Sequence, residues 1–291
     1  MAIFIEGPNG VGKTTLARAL TTPLGAAVSA VRVLEPDGQY WAGLGQALWA
    51  TVVDRWALTD MAEAPLAGRN LALSVVERWH LGLAAALTAS TLLLLGEERR
   101  YERALERAPE LEPAFIMRLP AKPDPEWVKR DLSGLLFARH DKAVRTLVGY
   151  QKLGGAGWGS LSPRVLLVAE RVNPKRVAQF SFPFQGRRPV GSGPYLYDLL
   201  ARAGLTPKDV HLVNAYGRHG EPLTEELVRY LRPISVVALG KVALARLREL
   251  GFQPASFPHP QVLRRFHFHE RAPWVARLNE AVEEGRLWWA S

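Results

Sequence analysis

The first chemistry legible in this sequence is anion binding. Residues 7–14, Gly7-Pro8-Asn9-Gly10-Val11-Gly12-Lys13-Thr14, fill every fixed position of the spacing G-x-x-x-x-G-K-[ST]. In such a loop the glycines let consecutive backbone N–H groups turn inward around a polyphosphate. The helix that follows aims its N-terminal dipole at the same anion. Gly7, Asn9, Gly10, Gly12, Lys13, Thr14 and Thr15 are therefore the expected nucleotide-binding residues. Lys13 is expected at the β- and γ-phosphates and the Thr14 hydroxyl on Mg²⁺, so the expected ligand is ATP with Mg²⁺.

The elements that must hold this loop are a strand before it and a helix after it. Met1 to Glu6 reads as a short buried strand, and Leu16 to Leu20 continues as a helix. Ala27 to Leu34 reads as a second strand, closed by the turn sequence Glu35-Pro36-Asp37-Gly38. Leu44, Ala47, Leu48 and Val52 have helical spacing, with Asp54-Arg55 near the end of that helix. Ser74-Val75-Val76 reads as a third strand with Glu77-Arg78-Trp79 at its C-terminal end, and Leu81 to Leu95 as a helix. Pro113 to Leu119 is another strand, and Asp124-Pro125-Glu126 opens a further helix. Strands alternating with helices imply an α/β fold on a parallel sheet, with ligands at the strands' C-terminal ends.

Taken in order, these residues resemble thymidylate kinase and its nucleoside-monophosphate kinase relatives, over roughly residues 1–153. After the phosphate loop, Glu35-Pro36-Asp37-Gly38 is similar to the family's E-P-G-G segment. Asp54-Arg55 resembles its helical D-R, and Ser74 to Trp79 its strand ending in D-R-Y. Pro109-Glu110-Leu111 resembles its P-D-L, and His140 to Arg145 with Tyr150 the helix after its lid. The resemblance implies phosphoryl transfer from ATP to a pyrimidine deoxynucleotide. Glu35 would face the acceptor and metal, Arg55 and Glu77 would bind the acceptor, and Arg78, Arg130 or Arg139 would stabilise transition-state charge. Leu34 stands where the family carries arginine, and the lid segment, about Lys129 to Arg139, is short.

Composition sets outer limits. At 291 residues and 48% hydrophobic content, two domains are expected. With no cysteine there are no disulfides, thiolate zinc sites or cysteine-ligated clusters. The longest apolar run, Leu81 to Leu95, is too short to span a bilayer. Met1 opens a core strand directly, so a cytoplasmic protein without signal peptide or membrane contact is expected. The net charge of +9 is uneven: residues 1–159 carry 18 Lys and Arg against 17 Asp and Glu, residues 160–291 carry 19 against 11. The basic second half suggests contact with DNA. Residues 154–163, with four glycines and a closing proline, read as a flexible joint.

Beyond it, Arg164 to Ala169 reads as a buried parallel strand ending in Glu170-Arg171-Val172-Asn173-Pro174. A Gly, Pro and Arg-rich loop follows with Phe180, Phe182 and Phe184 alternating. Then come a helix to Ala203, a strand to Val213-Asn214, a helix capped by Thr224, a strand to Gly240, a helix, His259-Pro260 and a closing helix. The strand ends resemble, in order, the motifs of the uracil-DNA glycosylase superfamily over about residues 163–270. Glu170 to Pro174 is similar to its first motif, Pro189-Val190-Gly191-Ser192-Gly193 to its P-F-V-G segment, and Leu212-Val213-Asn214 to its base-reading strand. Val236 to Gly240 is similar to its V-x-L-G, and His259-Pro260 to its last motif. That resemblance implies an extruded base paired by Asn214, stacked on a phenylalanine such as Phe184, and its O2 hydrogen-bonded by His259. Asn173 or Glu170 would position water, and Leu263, Arg264 and Arg265 would wedge and hold the duplex.

The combined expectation is a P-loop NTPase parallel sheet with flanking helices over residues 1–153, a joint over 154–163, and a second α/β domain of uracil-DNA glycosylase-like fold over 164–291. The expected partners are a nucleotide and DNA, and a homodimer is compatible with this reading. Excision of a pyrimidine base by the second domain, and a non-catalytic sensor in which both halves bind ligands, are the alternatives.

Overall fold

The computed structural model describes residues 2–7, 10–24, 28–29, 44, 46–48, 52–54, 58, 62, 73–96, 99–171, 182–184, 191–217, 219–266 and 271–288. Two compact units divide at Leu147 and Val148.

In the first unit, β1 (Ile3–Glu6) feeds the glycine loop and α1 (Lys13–Leu24). β2 (Val28–Ser29), β3 (Val52–Asp54), β4 (Thr91–Leu95) and β5 (Phe115–Leu119) complete a sheet in the order β2-β3-β1-β4-β5. Every pairing in it is parallel. β1 and β4 are fully buried and purely apolar but for Glu6 and Thr91, as strands covered on both faces must be. The core joins Ile3, Ile5, Leu16, Leu20, Val52, Leu93 and Leu95 to Val128, Leu132 and Leu136.

Three segments fold differently from expectation. Ser74 to Val76 is not a strand: Ser74 caps α2 (Val75–Leu87) in a capping box, accepting from the Glu77 N–H while Glu77 Oε2 accepts from the Ser74 N–H at 2.9 Å. The Leu81 to Leu95 run is not one helix either. It turns at Thr88 and at Ala89, whose φ is +49°, and re-enters the sheet as β4. An unbroken apolar run has no period, so a buried helix and a buried strand look alike in sequence. Likewise Val52 to Asp54 is strand β3 beside β1, with Ile5 level with Asp54. Leu44 and residues 46–48 are helical, whereas Glu35 and Arg55 lie outside the described residues.

α3 (Arg99–Arg107) follows β4. Beyond β5, α4 (Pro125–Trp127), a π turn (Val128–Leu132) and α5 (Ser133–Lys152) run in succession. The expected lid segment is thus wholly helical. Asp124 Oδ1 accepts from the Glu126 N–H at 3.0 Å, opening α4 where the sequence places a helix start.

The second unit has its own sheet, in the order β10-β9-β7-β8-β6. Its strands are β6 (Trp158–Gly159), β7 (Val165–Arg171), β8 (Val210–Tyr216), β9 (Ser235–Leu239) and β10 (Ala255–Phe257). All pair parallel except the β6 edge, which is antiparallel to β8. The helices are α6 (Ser192–Arg202), α7 (Glu225–Leu231), α8 (Lys241–Glu249), α9 (Pro260–Phe266) and α10 (Arg271–Trp288). Thr224 caps α7, accepting from the Leu227 N–H at 3.3 Å.

The glycine-rich segment belongs to this second sheet. Trp158 is fully buried, stacks on Phe182 at 5.0 Å and donates from its indole N–H to the Pro183 carbonyl. Behind it the Tyr150 hydroxyl accepts from the Gly157 N–H and donates to His211 Nε2 at 2.8 Å, while His211 Nδ1–H donates to the Ser160 carbonyl. Burial pushes the His211 imidazole down to about 4 and raises the Tyr150 phenol. His211 is therefore neutral at pH 7, and unfolding lets it take a proton at any pH below about 6.5. The stability it contributes is complete above that value and is lost as pH falls toward 4, by on the order of 3 kcal/mol. Denaturant titrations at steps between those two values should show that slope, and a flat profile would contradict it.

Candidate nucleotide site and candidate base site

The glycine loop leaves β1 with Gly7 at φ +144°, Gly10 at +82° and Gly12 at +89°, conformations that glycine adopts readily and other residues do not. Gly7 admits no side chain, since a Cβ there would lie 2.5 Å from the Leu95 carbonyl oxygen at the end of β4. Lys13 is 5% exposed, and its ammonium donates to the Gly7 carbonyl at 2.5 Å, curled over the loop. Tyr101 on α3 donates from its hydroxyl to the same carbonyl at 2.7 Å. Nothing in the spacing of the sequence identifies Tyr101, because the contact spans two strands and a helix. Thr14 and Thr15 are exposed on the first turn of α1, while Asn9 lies outside the described residues. Beside the loop, Gly10, Gly12, Thr15, Leu16, Lys122 and Pro123 line most of a cavity of about 350 Å³.

Three of the expected arginines contact other side chains. Arg78 Nε pairs with Glu110 at 2.5 Å, with side chains 12% and 8% exposed, and its guanidinium also reaches the Leu73 carbonyl. Arg130 is bidentate with Asp131 at 3.0 Å on each arm, and Arg139 lies 3.7 Å above the Phe115 ring. Glu77 caps α2. The Ser74-x-x-Glu77 spacing is itself a capping-box signature, the signal that separates this helix start from a strand end.

In the second unit the strand ends do bring predicted residues to one edge. Glu170 is near the end of β7, and its Oε1 would lie 2.4 Å from a Cβ on Gly240, just past β9. Asn214, 8% exposed on β8, is level with Ala169, so pleat alternation sends its side chain to the face opposite that of Glu170. Beyond β10, His259 stacks on Phe184 at 5.8 Å. Its Nδ1 accepts from the Gln261 N–H at 3.2 Å, which leaves the proton of the neutral ring on Nε2. Burial holds the His259 imidazole below its usual value, against the opposing pull of Glu170. Phe184 sits at φ +58°, with the Tyr197 hydroxyl donating to its carbonyl at 3.2 Å.

Leu263 is corrected as a wedge: it is 1% exposed, folded inward on α9, whereas Arg265 is exposed. Phe182 is spent on Trp158, while Asn173 and Phe180 lie outside the described residues. Among the described residues no three His, Asp or Glu side chains are grouped to hold a metal, and no helix is long and apolar enough to cross a membrane.

No protein-family model matches this chain, and no curated protein does. A solved structure that is similar in trace is the YorR protein of Bacillus subtilis, in complex with phosphorylated GDP. It is 12% identical over 48% of this chain and 98% of that chain, with a TM-score of 0.40. The coarse conclusion from the structure itself is an α/β chain whose first unit is a parallel sheet with flanking helices.

Proposed function

We propose that the first unit binds a nucleoside triphosphate at Gly7 to Thr15 and transfers its γ-phosphoryl group to a pyrimidine deoxynucleoside monophosphate. The observation that carries this is the loop itself: three glycines at positive φ between a buried strand and a helix N-terminus, with the Lys13 ammonium turned back over them. On binding, that ammonium would exchange the Gly7 carbonyl for phosphate oxygens. The loop's N–H groups and the α1 dipole would cradle the anion. Thr14, exposed at the start of α1, would hold Mg²⁺ together with the phosphates, and the ion would supply charge neutralisation for the transferring group. The acceptor class rests on the kinase resemblance. Since Arg78 is held by Glu110, Arg55, which follows the β3 end beside β1, is the arginine assigned to the acceptor. Calorimetric titration with Mg-ATP should give one site per chain, and no heat of binding with any nucleoside triphosphate would refute the reading.

A specific observation favours a second activity, excision of a pyrimidine base from DNA by the second unit. The neutral His259 tautomer presents an Nε2–H donor, the form that stabilises charge developing on a departing base, and Phe184 offers a stacking face beside it. With uracil-containing DNA, His259→Ala should lower excision about 100-fold or more. An unchanged rate, or no excision by the unmodified chain, would remove this activity.

A further inference from the structure

The phosphate chain of a bound triphosphate carries several negative charges, and Lys13 answers one of them. The arginines that the kinase resemblance would add are engaged elsewhere: Arg78 with Glu110, Arg130 with Asp131, Arg139 over Phe115. A different cation stands at the loop. Lys122, just beyond β5, is the basic residue in the lining of the cavity that opens beside Gly10, Gly12 and Thr15. Its backbone N–H donates to the Val11 carbonyl at 2.9 Å, which ties the β5 loop to the phosphate loop. Its Cα and Cγ lie 3.5 and 3.6 Å from where a Gly12 side chain would begin. Its φ is +51°, a left-handed backbone that a lysine adopts only at a cost of about 1 kcal/mol. Asp124, the nearest carboxylate in sequence, accepts from the Glu126 N–H instead. Lys122 makes no ion pair among the described residues, and it is exposed where it lines the cavity.

From this we infer that Lys122 is a second nucleotide-contacting cation, which neutralises the phosphate chain of the triphosphate in place of lid arginines. The inference rests on the proposed triphosphate site at Gly7 to Thr15. The strained backbone and the tie to Val11 fix the direction of the stem, and the stem's length delivers the charge over Gly12.

The test is calorimetric titration of the full chain with ATP, ADP and AMP, comparing the unmodified protein with Lys122→Met and Lys122→Arg. Methionine keeps the stem and removes the charge. Lys122→Met should weaken ATP about tenfold, ADP less and AMP least, with unchanged melting temperature and a shallower salt dependence. Lys122→Arg should recover most of the loss. Affinities of Lys122→Met equal to those of the unmodified chain for all three ligands overturn the inference and leave the loop's role standing. An equal loss for all three, with a lowered melting temperature, shows a merely structural residue and also overturns it. If the unmodified chain binds none of the three, the triphosphate reading fails first and the inference with it.

Discussion

Lys13→Ala is expected to lower the proposed nucleotide-dependent turnover about 100- to 1,000-fold while the fold is retained. The size follows from where the ammonium sits. Lys13 is 5% exposed and donates to the Gly7 carbonyl, inside the loop that would enclose the phosphates. A cation desolvated to that degree interacts strongly with a phosphate, because little water intervenes to screen it. The same burial makes arginine a poor substitute, since a planar fork cannot occupy the space of a single ammonium at the loop's centre. Stability should change much less, by about 1 kcal/mol, because Tyr101 still donates to the Gly7 carbonyl that Lys13 leaves. Steady-state kinetics beside thermal denaturation separates the two effects. A Lys13→Ala protein with undiminished turnover would remove the loop from the chemistry.

Gly157→Ala is the larger stability effect, destabilising the second unit by about 3 kcal/mol or more. A Cβ at that position would lie 2.3 Å from the Leu212 carbonyl oxygen, 2.6 Å from His211 Nε2 and 2.9 Å from the Tyr150 hydroxyl. Two of these atoms belong to rigid rings and the third to the β8 backbone, so none can swing aside cheaply. Relief would break the Gly157 N–H to Tyr150 bond and the Tyr150 to His211 bond together, leaving a fully buried imidazole short of a partner. Gly154 supplies the internal control. It is also a glycine, at φ +76°, but nothing lies within 4 Å of its added Cβ, so Gly154→Ala should cost only about 1 kcal/mol of backbone strain. Calorimetric melting of both variants tests the contrast. Equal melting temperatures would mean that residues 154–163 do act as a loose joint.

That contrast shows what a single sequence exposes and what it hides. The phosphate loop is legible because its determinants are local: Gly7, Gly12, Lys13 and Thr14 at fixed spacing, between an apolar strand and an apolar-faced helix. The central strands of the second unit are legible for a similar reason, being largely apolar up to Glu170 in β7 and Asn214 in β8, although the strands themselves run on to Arg171 and Tyr216. Glycine has two meanings that composition cannot separate, conformational freedom and lack of volume. At Gly155 and Gly157 the second applies, against the Tyr150 ring and His211. Leu81 to Leu95 reads as one helix because an apolar run buried all round loses the periodicity that distinguishes helix from strand, whereas Ser74 to Val76, with Val75 exposed on α2, is too short to show a period at all. The Ser74-Glu77 box is the local clue that resolves it. Arg78 with Glu110, Tyr101 with Gly7 and Lys122 with Val11 are contacts between distant elements, and no spacing rule reaches them.

The most direct test of the central claim is ADP release from Mg-ATP in the presence of single nucleoside monophosphates: dTMP, dUMP, dCMP and 5-substituted dUMPs. The account predicts ADP that depends on at least one pyrimidine acceptor and disappears in Lys13→Ala. ADP release that no pyrimidine acceptor stimulates, from a protein that binds Mg-ATP, would contradict it.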